Sequence, residues 1–465
     1  MIAKHILACC IILASFVARA ELTEDEASQL GIEGTPLTPM GAIRDGNAEG
    51  TIPAWGGGYK ETPPGYTPGG FYIDPFADDK ILFTITAQNV DQYKNHLTPG
   101  QIAMFERYPD TYKMHIYPSR RTAHNPDSAY EATLKTARTA KLCGERCLDP
   151  KTISDGGGIP FPIPKNGLQV VFNAALVYQP AWWVAGSAVV TSPDGGYAVT
   201  QLNYSWNKIY WLKEKDKPTA PLFKKSGGAA YCFYATYESP ARVAGQILNG
   251  CALMENMQAD AYLYIPGQRR VRKAPEVGFY DQPAAGSDGL LPSMAGNGFF
   301  MSGSEEWYDH QLLGRKEIYI PYNNYKLMAP ETKAADVIRA GHISPEPVRY
   351  ELHRVWVVES RIKPEFRSTI PHQFAYFDED SWESPLATRH NQDDVVWQVQ
   401  EAPLAYFYDA QAIFPAATIS YDLFSGRYGT IARSFPNFMN SMVKWPKTID
   451  YNQYTPQGLR SAGRR

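Results

Sequence analysis

The chain carries none of the common catalytic signatures. Gly-x-Ser-x-Gly, Ser-x-x-Lys, His-Glu-x-x-His and a phosphate-binding glycine loop are all missing, and Gly286-Ser287-Asp288-Gly289 lacks the spacing of a nucleophile elbow. No motif for a cofactor is present, so none is expected. A membrane-spanning run is missing too: the longest apolar stretch, Ile6 to Val17, falls well short of the roughly 20 residues a bilayer needs. Excess positive charge is absent. The formal net charge is −3, and without Lys4 and Arg19 of the leader it becomes −5, which argues against a nucleic-acid partner. There is no repeat at a fixed period and no low-complexity tract, which excludes propellers and solenoids. The nine histidines are scattered singletons, and none lies within metal-ligand spacing of the cysteines. No metal site is expected.

What is present begins with an export signal. Lys4 and His5 precede the apolar run, and Ala18-Arg19-Ala20 is a small-x-small cleavage site, so residues 1–20 are expected to be removed and the mature protein to be periplasmic. Four cysteines then remain: Cys143, Cys147, Cys232 and Cys251. An even number in an exported chain predicts two disulfides, and Cys143 with Cys147 and Cys232 with Cys251 are the closest pairings of the three connectivities.

The chain divides into four parts. After the leader, residues 21–70 form an extended arm: LTPMGAIRDGNAEGTIPAWGGG has no period of either kind, but Met40, Ile43, Ile52 and Trp55 give it points at which to dock. Residues 71–155 are the helical section. Asn89 can cap one helix, Thr98-Pro99 opens a second and Ser128 to Leu142 is a third. Residues 156–465 read as short strands separated by turns, near Trp182–Thr191, Tyr197–Asn203, Ala230–Glu238, Asp260–Ile265, Glu317–Pro321, Arg349–Glu359, Gln373–Asp378, Val395–Gln400 and Thr418–Asp422. SPDGG is a hairpin between the first two, and Ala241 to Met257 is expected as a helix crossing the sheet. The fold class is α+β and β-rich, one strongly curved antiparallel sheet.

Aromatics are abundant, with 30 Tyr and 10 Trp. Trp182, Trp183, Tyr204, Trp206, Tyr262, Tyr264, Phe299, Phe300 and Trp356 supply more apolar surface than a thin sheet can hide, which points to a cavity for a hydrophobic ligand. ADAYLYIPGQRRVRKAP places Arg269, Arg270, Arg272 and Lys273 directly after an aromatic strand, as contacts for an anionic head group or a partner; as a plain edge strand, the same cations would deter pairing with other chains. Two rival readings use other residues. A hydrolase would need Asp378-Glu379-Asp380, Asp393-Asp394 and His353 or His390 to converge in a cleft, although acidic triplets at strand ends are usually solvated turns. An envelope assembly scaffold would use every aromatic as core.

Several stretches carry a family resemblance: GNAEGTIPAW (Gly46 to Trp55), YPSRRTAHNP (Tyr117 to Pro126), Phe299 to Asn323, RYELHRVWVVESRIK (Arg349 to Lys363) and FAYFDEDSW (Phe374 to Trp382). With the basic strand they resemble the bacterial family called domain of unknown function 1329, and more distantly the LolA/LolB-type periplasmic carriers that sort outer-membrane lipoproteins. The resemblance implies an incomplete barrel partly closed by helices over an apolar cavity. It also implies carriage of a lipid or other hydrophobic cargo in envelope trafficking, with a resistance-nodulation-division pump or an outer-membrane protein as neighbour.

Overall fold

The computed structural model describes residues 22–144, 147–153, 157–214, 217–274, 287–291, 305–432 and 443–463. Its framework is one sheet of fifteen strands. In chain order these are β1 (Phe83–Ile85), β2 (Met114–Ile116), β3 (Val184–Thr191), β4 (Tyr197–Asn207), β5 (Ala229–Ser239), β6 (Ile247–Leu253), β7 (Ala259–Ile265), β8 (Arg270–Lys273), β9 (Tyr308–Pro321), β10 (Tyr350–Ile362), β11 (His372–Asp378), β12 (Leu386–His390), β13 (Val396–Glu401), β14 (Ala417–Asp422) and β15 (Arg427–Ala432). Their spatial order is β1-β2-β10-β11-β12-β13-β14-β15-β3-β4-β5-β6-β7-β8, with β9 also against β10. Every pairing is antiparallel except one parallel bridge between Ile116 and Tyr350. The sheet is curved and does not close into a barrel, and among the described residues β8 pairs only with β7.

All nine expected strands are found, most of them longer than the sequence pattern suggested. SPDGG is the β3–β4 turn, with Ser192 N–H donating to Gly196 O. The helix expected over Ala241 to Met257 is overturned, because its centre is β6. Pairing between strands decides this segment: Cys232 on β5 stands directly opposite Cys251 on β6 and is disulfide-bonded to it, and Gly245 and Met257 at positive φ turn the chain at either end. Cys143 and Cys147 form the other bridge. The pairings are those expected from spacing.

Helix α1 (Pro99–Arg107) opens with a full capping box. Thr98 Oγ1 accepts from Gln101 N, and Gln101 Oε1 accepts from Thr98 N. Both residues are buried, so Thr98→Ala is expected to cost about 1 kcal/mol in urea unfolding. Asn89 caps no α-helix. Its carboxamide closes a turn with Thr84 and Thr86, and short 3-10 turns follow at Val90–Gln92 and Lys94–His96. Helix α2 (Asp127–Thr136) stops short of Leu142, with Thr136 Oγ1 donating to Gly157 O. Helix α3 (Gly167–Leu176), not foreseen, is buried on all sides, and α4 (Pro456–Ala462) lies near the C-terminus.

The sheet is covered on both faces. One carries α1 and a core that includes Met104, Phe105, Val399, Ile419 and Tyr421. The other carries α3, the Leu404–Phe407/Ala412–Pro415 hairpin and the largest core, built around Trp182, Trp206, Phe233 and Phe414. Sheet position thus determines which of two interiors a side chain enters.

Candidate functional site

Strand register sorts the expected ligand-binding residues. Tyr204 on β4 lies opposite Ala235, which lies opposite Leu248, then Leu263, then Arg272 on β8. Residues directly opposite share a face, so Tyr204, Trp206, Leu248, Leu263, Arg270 and Arg272 all belong to the α3 side. Tyr262 and Tyr264 have the other parity. They sit with Ile247, Val271 and Leu459 of α4, and Tyr264 Oη donates to Gly463 O. These two tyrosines therefore do not line the same hollow as Trp206, which corrects the grouping made from sequence.

The remaining aromatics fill space against one another. Trp206 stacks on Tyr231 and Phe233 at 4.7 and 5.2 Å. Trp182 meets Tyr204 and Phe414 edge-on, and Trp356 lies between Trp382 and the Arg315 guanidinium, 3.9 Å above its ring. Phe233 passes so close to Gly250 that a Cβ there would stand 2.7 Å from its Cζ. Trp183 differs. It is exposed, with Lys444 Nζ 4.6 Å from its ring, and together with Trp182 and Tyr204 it borders a groove of about 360 Å³ walled by Asn203, Ser205, Tyr234 and Ile449. Phe299 and Phe300 lie outside the described residues. Among the described residues on the α3 side, Leu248 and Leu263 are half-buried against the core beside the β8 rim.

That rim is cationic. Arg269 (αL, φ 48°), Arg270, Arg272 and Lys273 are all exposed, and Lys273 pairs with Asp260 at 2.7 Å. Their place on the last strand of the sheet among the described residues agrees with protection against edge pairing, and the parity of Arg270 and Arg272 also sets them beside the apolar row.

The acidic triplet is not a solvated turn. Asp378, Glu379 and Asp380 are buried at the end of β11, together with Ser381 and Trp382. Arg121 chelates Asp380 through Nε and Nη2 at 2.8 and 2.7 Å, while Glu379 meets Arg315 at 3.0 Å and Arg354 at 3.2 Å. The same guanidiniums seize the arm. Arg121 donates to the carbonyls of Ile43, Arg44 and Pro53, Arg354 to that of Asp45, Arg315 to that of Gly41, and Trp382 Nε1 to that of Met40. Gly41 has φ 84°, and a Cβ there would collide with the Pro162 carbonyl. A Gly/Pro segment without regular structure is thereby buried with its carbonyls satisfied. Met40, Ile52 and Trp55 are buried as expected, whereas Ile43 is only half-buried.

His353 lies inside this network, 1% exposed, with Glu351 at 3.3 Å and Asp378 at 3.4 Å. Burial alone would lower its pKa, but hydrogen bonds to the two carboxylates raise it to about 9. Burial likewise favours the neutral form of Asp380, and Arg121 overrides it, holding that carboxyl below its usual range. His390 and Asp394 belong to a separate cluster on the α1 side, so the acids and histidines do not converge in one cleft. Arg121, Arg315 and Arg354 were not singled out from sequence, although Arg121 sits in YPSRRTAHNP and faces the acids of FDEDSW.

Residues 84–460 match the family described as protein of unknown function DUF1329. The chain belongs to this family. Uncharacterized protein PA3922 of Pseudomonas aeruginosa is 38% identical over 462 residues, covering 96% of this DUF1329 chain and 95% of that one. Two solved structures align at lower similarity. A DUF1329 family protein from Desulfovibrio piger gives a TM-score of 0.41 at 10% identity, covering 63% of this chain and 97% of that one. LolA superfamily protein NE2245 from Nitrosomonas europaea gives 0.36 at 11%, covering 63% and 98%. Among the described residues of the DUF1329 chain, no helix is long and apolar enough to cross a membrane.

Proposed function

We propose that this DUF1329 protein is a non-enzymatic periplasmic carrier that holds a lipid or other amphiphile with an anionic head at the β8 end of its sheet. One observation carries this reading. Register sets the half-buried Leu248 and Leu263 in the same row as Arg272, so a short apolar strip ends at a cationic edge. Each methylene laid on such a strip gains about 0.8 kcal/mol, and the arginines suit a phosphate or carboxylate head. The leader and the two disulfides support an exported, oxidised setting. A hydrolytic role finds less support, because His353 is shut inside an ion network with no opening to substrate.

The test has two arms. Lipid extracted from protein purified out of cells is identified by mass spectrometry, and binding of an anionic and a neutral fluorescent amphiphile is titrated. Arg270→Glu with Arg272→Glu is expected to weaken the anionic probe several-fold at low salt and leave the neutral one unchanged. No co-purifying lipid together with no probe binding would favour the scaffold role. Equal loss of both probes would refute the head-group assignment.

A further inference from the structure

His372 opens β11 and His390 closes β12, and register places them directly opposite each other on the α1 side of the sheet. The rings stack at 4.6 Å between centroids, and both residues are buried, at 5% and 7% exposure. The turn between β12 and β13 brings a carboxylate back to them. Asn391 accepts from the N–H groups of Asp393 and Val395, Asp394 takes a positive φ of 59°, and Asp394 Oδ1 comes to 2.5 Å from His372 Nδ1. Across the ring, Glu359 Oε1 lies 2.9 Å from His372 Nε2. His390 Nδ1 is buried and has no hydrogen-bond partner.

The mismatch lies in His390. His372 has a carboxylate at each ring nitrogen, which an imidazolium can satisfy by donating from both, but the neighbouring ring has a buried nitrogen, Nδ1, that neither donates nor accepts. A cation between the rings gives that nitrogen a partner and lets a neutral His372 use both of its own. It would take a lone pair from each imidazole and an oxygen from Asp394, leaving His372 Nε2–H to donate to Glu359 in the carboxylate–histidine–metal relation that orients many metal-bound histidines. One ligand atom from each of His372, His390 and Asp394 already lies within 4.8 Å of the others. Tetrahedral sites with bonds of about 2.0–2.1 Å bring such atoms to roughly 3.4 Å, a difference within reach of side-chain rotation.

We propose that His372, His390 and Asp394 bind a single divalent transition-metal ion. Two imidazoles and one carboxylate select zinc, or copper and nickel, over calcium and magnesium, and the fourth position stays open to water or a partner's ligand. Bound metal would tie the β12–β13 turn to the start of β11. The second histidine–acid group, His353 with Asp378 and Asp380, is a weaker host because Arg121 already occupies Asp380 and both carboxylates adjoining His353 are bonded within the network.

The experiment uses full-length mature protein stripped with EDTA and titrated with ZnCl₂ by calorimetry, with thermal unfolding recorded with and without zinc. Wild type is expected to bind one equivalent at micromolar affinity or tighter and to gain Tm. His390→Ala and Asp394→Asn should each bind at least about tenfold more weakly and lose the Tm gain. Asp394 lies in an exposed turn, so Asp394→Asn serves as the variant whose metal-free fold, checked by circular dichroism, should be unchanged. Absence of zinc binding to stripped wild type, or equal affinity in both variants, would overturn the proposal.

Discussion

Arg121→Ala is expected to cost about 4 kcal/mol, read as a fall in the urea midpoint at neutral pH, and to expose the segment around Met40 to Trp55 to protease. The magnitude follows from what the change strands. Arg121 is 3% exposed at its side chain and makes two short bonds to Asp380 plus three to arm carbonyls. Its removal leaves a buried carboxylate with His353 and more distant guanidiniums, and takes a donor from three arm carbonyls, of which Arg44 O keeps Trp55 N–H and Ile43 O keeps Arg354. Breaking one side of a buried pair in this way typically costs 3–5 kcal/mol. Arg121→Lys keeps the charge but loses the planar fork, so it should recover only part of the loss and remain protease-sensitive. A loss below about 1 kcal/mol with an intact arm would show that the arm is held by Met40, Ile52 and Trp55 alone.

The reason Arg121 was invisible as a key residue also explains how far the sequence could be read. Period-2 patterns in β3, β4, β5, β7 and β10 were legible because one property, alternation, carries through the whole strand. The β6 segment lacked it: ILNGCAL mixes Asn and Gly with apolar residues, and its state is fixed by Cys232 and Asp260 across the sheet. The fully buried α3 has apolar residues all round and so shows no helical stripe. The acidic triplet looked solvated because its three counter-charges are far away in sequence, Arg121 being 259 residues before Asp380. Aromatic abundance suggested a hollow, but whether Trp182, Trp206 and Trp356 face a void or one another depends on the fit of α3 and the 404–415 hairpin, a property of packing that no single strand records. Parity, in contrast, was available from sequence. Tyr262 and Tyr264 alternate with Ala261 and Leu263, and only the choice of which set faced inward was missing. The pairing of His372 with His390 had no local signal either, since they are brought together by the β11–β12 register.

Glu401→Gln should make the protein more stable at pH 8 and remove much of its loss of stability between pH 5 and pH 7. Glu401 ends β13, is 1% exposed and is ringed by three tyrosine hydroxyls: Tyr350 at 3.1 Å, Tyr112 at 3.3 Å and Tyr421 at 3.4 Å. Burial pushes its carboxyl up to about 7, and the three hydroxyls pull back only in part. The folded state therefore keeps a proton that the unfolded chain, with an ordinary value of 4.5, has already released. Between those two values the native form binds more protons, so stability falls as pH rises and then levels off above pH 7. The full drop is at most about 3 kcal/mol. Burial beside Asp380 also raises Glu379, so the wild-type slope contains both acids and the difference between wild type and Glu401→Gln isolates one. His353, raised to about 9, contributes stability that is complete below its ordinary 6.5 and lost as pH climbs to 9, mostly beyond this window. Urea unfolding of both proteins at pH 5, 6, 7 and 8 decides the matter. Curves that run parallel, or a variant weaker at pH 8, would mean that Glu401 is held ionised by its tyrosines and that hydrogen bonding outweighs burial there.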